Sequence, residues 1–412
     1  MRLPFSYILK LPSILFKSQN AWEQVELNEI ADRSTLKNRK NENKIVLTNS
    51  AELGIVKQQD YFDKDIANSK NLSNYYVVKN NYFVYNPRIS NQAKYGPINY
   101  NSLGIVGIMS PLYFVFKVHN VNNIFLGILF KTNVWHRFMY ENGDTGARAD
   151  RFSIKDSVFM TMPLNIPSIA EQSKVAKLFQ SLDKTITLHE EKQRQLERLK
   201  KALLQKMFAD KTGYPILRFK GFSDAWEQRR LKNVAKSNIG GGTPKTSVKE
   251  YWGGTLPWIQ SSDLIEGELF DVHVKKHITE IGIENSAAKL IPKNSIAVVT
   301  RVGVGKLAFL PFEYATSQDF LSLNGVTENP WFITYALQLA IKKLVRQLQG
   351  TSIKGITKSE LLKILIKVPL EMSEQEKVSK LLLSTDSLIT LHQHKIDNLK
   401  RLKRALLQKM FV

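Results

Sequence analysis

The chain has 412 residues, 43% of them hydrophobic, and 59 Lys and Arg against 37 Asp and Glu give it a formal net charge of +22. The apolar content suffices for packed cores and excludes wholesale disorder, and the length favours two domains over one. With no cysteine, disulfides and thiolate metal sites are excluded, while the basic excess points to a polyanion, because each phosphate neutralised releases condensed counterions.

In chain order, residues 1–16 are apolar with an early Arg2, but Pro4, Lys10 and Pro12 interrupt them. They fall short of the roughly 18 apolar residues of a membrane span, so a soluble segment is expected, and the absence of cysteine fits a reducing, cytoplasmic setting. Ala21-Trp22-Glu23-Gln24 then opens a segment with β signals at Ile105–Ile108 and Tyr113–Val118. Glu171–Phe208 follows as a long helical pattern without Pro or Gly. Ala225-Trp226-Glu227-Gln228 repeats the opening word, and a second β-rich segment carries Ile296–Thr300 with turn signals at Gly240–Gly242 and Gly253-Gly254. Glu374–Phe411 closes the chain and matches Glu171–Phe208 without a gap at 24 of 38 positions. Upstream of the second opening word, Pro215-Ile216-Leu217-Arg218-Phe219-Lys220 has a worn counterpart in Pro12-Ser13-Ile14-Leu15-Phe16-Lys17.

The order is therefore domain, helix, domain, helix, a repeat that decides the architecture. At about 1.5 Å per residue each helix spans roughly 57 Å, too long to stand without a partner. Apolar residues at steps of three and four draw a coiled-coil seam, and the natural partner of each helix is the other copy. The seam expected in the first helix is Val175, Leu178, Leu182, Thr185, His189, Lys192, Leu196, Leu199, Leu203 and Lys206. In the second it is Val378, Leu381, Thr385, Leu388, His392, Lys395, Leu399, Leu402, Leu406 and Lys409. The expected fold is α/β (α+β): two mixed domains separated by two long antiparallel coiled-coil helices with pseudo-twofold symmetry. The segments between the repeats are unlike in sequence except for islands such as Asn80–Arg88 against Lys293–Arg301. A duplicated frame with divergent inserts suggests one task performed on two targets.

Catalytic motifs are poorly supplied. Asn329-Pro330-Trp331-Phe332 lacks the second proline of an amino-methyltransferase loop. Arg301–Lys306 resembles a phosphate loop, but Leu307 stands where Ser or Thr is needed, and the two glycines suit a tight turn between strands. His273 and His277 have the spacing of a zinc helix without its Glu. Basic and polar loops are better supplied. Candidate DNA contacts in the second segment are Thr243, Lys245 and Thr246, then Gln260 and Ser261, then Arg301 and Lys306, and finally Ser352 and Lys354. In the first segment they are Arg88, Arg148 and Arg151. Side chains of these types reach base edges or hold phosphates.

The layout resembles the specificity subunit of type I restriction-modification systems over nearly the whole chain. The words that carry the resemblance include Pro215–Phe219 with Gly221-Phe222 and Trp226-Glu227, then Gly241-Gly242-Thr243-Pro244 and Glu250–Gly254, then Leu256–Ile259. Gly350-Thr351-Ser352, Ile356-Thr357, Val368-Pro369, Glu374-Gln375 and Ala405–Phe411 complete the set. The first segment lacks the Gly-Gly-Thr-Pro phrase. The resemblance implies target-recognition domains at 1–164 and 213–369, with spacer helices at 165–212 and 370–412. It implies a two-part double-stranded DNA target, one half per domain. The helices would act as a ruler and as the dock for two methyltransferase subunits, and restriction subunits would join the complex. S-adenosylmethionine, ATP and magnesium are then expected in those partners and no cofactor in this chain, which would be no catalyst itself. The alternatives from the residues alone are a non-specific basic nucleic-acid scaffold and a nuclease with an unrecognised carboxylate site.

Overall fold

The computed structural model describes residues 22–61, 69–145, 150–348 and 355–411. They fall into two compact units, one built from the residues up to 189 with those from 394 onward, the other from 190–393. Among the described residues no helix is long and apolar enough to cross a membrane.

The first unit contains strands β1 (Glu23–Glu26), β2 (Ala31–Arg33), β3 (Leu47–Ser50), β4 (Gly54–Lys57) and β5 (Tyr76–Val78). It continues with β6 (Phe83–Tyr85), β7 (Ile98–Tyr100), β8 (Gly107–Met109) and β9 (Phe114–Val118). Helix α1 (Asn123–Leu129) and β10 (Pro163–Ile166) lead into the long helix α2 (Ile169–Lys206). The second unit contains β11 (Glu227–Arg230), β12 (Ala235–Gly240), β13 (Trp252–Ile259), β14 (Lys276–Ile278) and β15 (Ser295–Val299). After these come β16 (Leu307–Leu310), β17 (Ala315–Thr316), β18 (Phe320–Val326), helix α3 (Pro330–Leu348), β19 (Leu365–Val368) and the long helix α4 (Met372–Met410).

The repeated Trp-Glu-Gln word proves to be a clasp. β1 pairs antiparallel with β10, which runs into α2. β11 pairs in the same way with β19, which runs into α4. Each domain thus has its first strand tied to its last, where the chain enters the long helix. The repeated Gln of the helices explains the other half of the joint. Gln172 accepts from the Asn122 amide at 2.8 Å and donates to the Pro167 carbonyl. Gln375 accepts from the Asn329 amide at 2.9 Å and donates to the Pro369 carbonyl. Asn122 and Asn329 are N-caps, which gives Asn329-Pro330 its role: Asn329 accepts from the Phe332 amide, and Pro330 is the first residue of α3.

Beneath their divergent sequences the units share a sheet. The orders are β2-β9-β6-β7 and β12-β18-β15-β16, antiparallel at every pairing. The Asn80–Arg88 and Lys293–Arg301 islands supply the inner strands β6 and β15, and both are entered through an Asn at positive φ, Asn81 at 68° and Asn294 at 63°. Asn is among the few side chains that tolerate that region. Phe83, Phe116, Phe125 and Phe159 pack on the first sheet, and Phe332, Tyr335 and Leu337 on the second. The surroundings differ: the first unit adds the two-stranded sheets β3-β4 and β5-β8, the second a three-stranded β14-β13-β17. Gly253-Gly254 is no turn. It lies inside β13, where the register against β14 slips between Trp252 and Leu256, and Gly253 takes φ 85° as a bulge requires.

The long helices pair antiparallel in both units. Lys403 bridges Asp183 in the first; in the second, Gln193 donates to Gln393 at 3.0 Å and Lys200 reaches Asp386 at 2.5 Å. As the numbers rise along α2 they fall along α4 by the same steps. Asp183 and Asp386 are the same position of the repeat, as are Lys200 and Lys403, so one ion pair is built twice. In the second unit this pair also holds the sheet domain. The Tyr335 hydroxyl donates to Asp386 at 2.6 Å, and burial together with that carboxylate pushes the phenol well above its usual range.

Half of the expected seam is shifted by one residue. Val175, Leu182, Leu196 and Leu203 are buried in α2, as are Val378 and Leu406 in α4. The alternate positions are Phe179, Ile186, Gln193, Lys200 and Met207 rather than Leu178, Thr185, Lys192, Leu199 and Lys206. Leu382 and Ile396 likewise replace Leu381 and Lys395. Leu178, Leu381, Leu399 and Leu402 still pack at the edge of the cores, and His189 and His392 are half-buried. Leu199 and Leu388 do not belong to the seam: they are 48% and 45% exposed on the flank of the pair. The i+4 stripe carries Phe179, Ile186, Met207, Leu382 and Ile396 where the i+3 stripe has Thr185, Lys206 and Lys395 beside its leucines, so it buries more apolar surface. The Lys–Asp and Gln–Gln contacts fall on the same stripe.

Candidate nucleic-acid interface

In the second unit four loops meet beside β13 and the β15–β16 hairpin. The first is Gly241-Gly242-Thr243-Pro244, leaving β12. The Gly242 amide donates to the Thr316 carbonyl at 2.8 Å. A Cβ at Gly241 would stand 2.1 Å from the Ser317 carbonyl oxygen, and one at Gly242 would stand 1.9 Å from that of Ala287. Only glycine lets the loop lie this close to two other backbones, and that approach sets the start of the Thr243–Thr246 segment. Gly242→Ala is expected to destabilise the unit by about 2 kcal/mol through overpacking. Gly240→Ala, where a Cβ meets nothing within 4 Å, should leave it within a few tenths. Urea denaturation of both variants checks the contrast.

Thr243 donates its hydroxyl hydrogen to Gln318, while Lys245 and Thr246 are exposed. Gln260–Asp263 forms the second loop, closed by the Gln260 amide donating to the Asp263 carboxylate at 3.0 Å. The third is the hairpin turn, with Gly303 and Gly305 at φ 87° and 104°. Lys306 reaches across from it and donates to the Ser261 carbonyl at 3.0 Å. Arg301 is exposed at the head of the turn, and Thr300 before it is pinned to the Asp319 carbonyl through its amide and hydroxyl. The fourth is the stretch holding Ser317, Gln318 and Asp319; the Ser317 amide donates to the Ile259 carbonyl at 3.0 Å. The structure thus gathers Thr243, Gln260, Ser261, Arg301 and Lys306 on loops that brace one another. Ser352 and Lys354 lie outside the described residues, but the Ile356 amide donates to the Thr300 carbonyl at 2.7 Å, so the described chain resumes directly beside Arg301.

The first unit repeats this last feature. Arg88 and Arg151 form an isolated antiparallel bridge, and the Phe152 amide donates to the Pro87 carbonyl at 2.8 Å. Pro87 and Thr300 hold the same place in the two islands, as do Arg88 and Arg301. Arg88 is exposed and Arg151 half-buried, whereas Arg148 lies outside the described residues.

Sequence reading missed Gln318 and Lys275. Gln318 belongs to no motif. Lys275 donates to the Ser262 carbonyl at 3.5 Å and stands 3.7 Å from the buried Asp263 carboxylate. Its signal was present in His273-Val274-Lys275-Lys276-His277, weighed only for metal. His277 sits in β14, so the two histidines share no helix face.

A family model for the type I restriction modification DNA specificity domain matches twice, over residues 19–198 and 223–401. The chain belongs to that family. Each specificity-domain copy takes in one clasp, one four-stranded sheet and most of one long helix. A curated relative from Methanocaldococcus jannaschii, the type I restriction enzyme MjaIX specificity subunit, is 26% identical over 191 residues, 45% of this chain and 44% of that one. The EcoR124I/EcoR124II specificity subunit of Escherichia coli is 33% identical over 138 residues, 33% of this chain and 31% of the relative. These alignments span less than half the length of the curated relatives they match. The crystal structure of a type I restriction-modification system S subunit from M. genitalium shares the fold with a TM-score of 0.59 at 12% identity, covering 96% of this chain and 98% of that one.

Proposed function

We propose that this specificity-family chain is the DNA-reading subunit of a type I restriction-modification complex, working in the cytoplasm and performing no chemistry itself. One observation carries the reading: two specificity-domain copies keep one sheet and one clasp while their loops differ, on a helix pair joined by a duplicated ion pair. A frame preserved while its loops diverge suits the recognition of two different half-sites of double-stranded DNA. The division into recognition domains at 1–164 and 213–369 with spacer helices at 165–212 and 370–412 belongs to this reading. Arg88, Arg148 and Arg151 would contact the first half-site. Thr243, Lys245, Thr246, Gln260, Ser261, Arg301, Lys306, Ser352 and Lys354 would contact the second, by base readout or phosphate contact. The partners are two methyltransferase subunits and restriction subunits, which hold S-adenosylmethionine, ATP and magnesium.

Leu199 and Leu388 give the dock a testable position. They lie close in level on the helix pair, since neighbouring Lys200 and Asp386 touch, and both leucines are about half exposed. A methyltransferase subunit should copurify with the tagged chain from its host in stoichiometric amount. Leu199→Glu with Leu388→Glu should reduce its recovery about tenfold or more, as charges placed in an apolar contact do, without changing the thermal midpoint of the chain. Methylome sequencing of the host should return a bipartite motif. Absence of any methyltransferase in the pull-down, or methylation without a two-part motif, would sink the reading in favour of a non-specific scaffold.

A further inference from the structure

Among the described residues the three-stranded sheet has no counterpart in the first unit, and its edge strand β14 carries a cation of unusual setting. The Lys276 ammonium lies 5.5 Å from the ring centre of Trp252 and 5.6 Å from that of Trp258. The two rings meet edge to face at 5.1 Å. Both are fixed through their indole N–H groups, Trp252 donating to the Lys245 carbonyl at 3.3 Å and Trp258 to the Gly242 carbonyl at 3.1 Å. Aromatic faces attract an ammonium without neutralising it, and among the described residues no carboxylate lies within ion-pair distance of Lys276. Beside it, Lys275 is held by Ser262 and Asp263. A shallow cavity of about 490 Å³ opens here, and its lining includes Thr246, Trp252, Gly253, Lys275, Lys276 and His277.

We propose that Lys275 and Lys276, with Thr246, form a clamp for the phosphodiester backbone of duplex DNA that is indifferent to base sequence. The inference deepens the DNA-reading function and rests on it. Lysine presents a point charge without the planar fork that matches a guanine edge, so it suits a phosphate better than base discrimination. The tryptophans supply what a surface lysine lacks, a restrained position, so less side-chain freedom is lost when a phosphate arrives. The clamp also shares backbone with the reading loops: Trp258 holds Gly242, and Lys275 holds the Gln260–Asp263 turn. A phosphate seated here would set the register of those loops along the duplex.

The test uses the full chain and a fluorescein-labelled mixed-sequence duplex of about 30 base pairs, with anisotropy read over a series of KCl concentrations. The unmodified chain should show log K falling linearly with log salt. Lys275→Gln with Lys276→Gln should flatten that slope by about 1.8, close to 0.9 for each phosphate that is no longer neutralised. Lys276→Arg, which keeps the charge and the aromatic contact, should restore half of the difference when combined with Lys275→Gln. An unchanged slope in the double variant, with the unmodified chain binding normally, overturns the clamp and leaves the DNA-reading function standing. If the unmodified chain shows no salt-dependent duplex binding, both fall.

Discussion

Replacing Arg218 by alanine is expected to cost the second unit about 3–5 kcal/mol, the range for a buried charge stripped of its partner. Glu374, in the first turn of α4, has a side chain only 2% exposed, and Arg218 is 15% exposed. The guanidinium meets the carboxylate with both oxygens engaged, at 2.7 and 2.8 Å, and the Trp226 indole adds a third donor at 3.3 Å. The ion pair draws the Pro215–Lys220 leader, the clasp and the start of the helix to one point. Without Arg218 the carboxylate stays buried with a single long hydrogen bond. Urea denaturation should show the loss in the midpoint, and hydrogen exchange should localise it to residues 215–230 and the first turns of α4. A shift below about 1 kcal/mol would mean that water replaces the guanidinium, and the joint would then be ordinary surface. In the worn leader of the first domain, Leu15 aligns with Arg218, so the destabilisation is expected at this joint alone.

Lengthening both long helices by one heptad, after Lys192 and after Gln393, is expected to lengthen the unspecified spacer of the methylated motif while preserving both half-sites. Seven residues add about 10 Å at 1.5 Å per residue, which corresponds to about three base pairs at 3.4 Å each. A heptad keeps the seam facing its partner, so Asp183–Lys403 and Lys200–Asp386 both survive on either side of the insertion. The same insertion in one helix alone cannot keep both ion pairs. It should abolish methylation or leave the chain unable to hold its methyltransferases. Methylome sequencing of a host carrying each variant reads the outcome directly. Altered half-sites with an unchanged spacer would contradict the ruler.

Much of this protein was legible along the chain because its evidence is local or periodic. The 24 matches in 38 positions announced two long paired helices, and the strands near Phe114–Val118 and Ser295–Val299 followed from β-branched and aromatic runs. Gly303 and Gly305 were readable as a hairpin turn because no other residue adopts such dihedrals cheaply. The seam was half readable. Periodicity placed Thr185 and Leu199 on it, whereas the buried stripe runs through Ile186 and Lys200, and the Lys200–Asp386 and Gln193–Gln393 contacts that mark that stripe join residues no local pattern connects.

The sequence by itself determined the duplication, the basic character, the helix pairs and the family, since each rests on composition or on words that can be read in place. Tertiary structure alone decided that divergent segments share one sheet, that Gly-Gly inside β13 is a bulge, and that Lys276 sits over two tryptophans. It also decided that Gln172 and Gln375 dock equivalent helix N-termini. Those facts concern hydrogen bonds and close approaches between residues tens of positions apart. Such interactions exist only once the chain has folded, and a backbone ladder accepts many sequences provided the alternation of buried and exposed positions is kept.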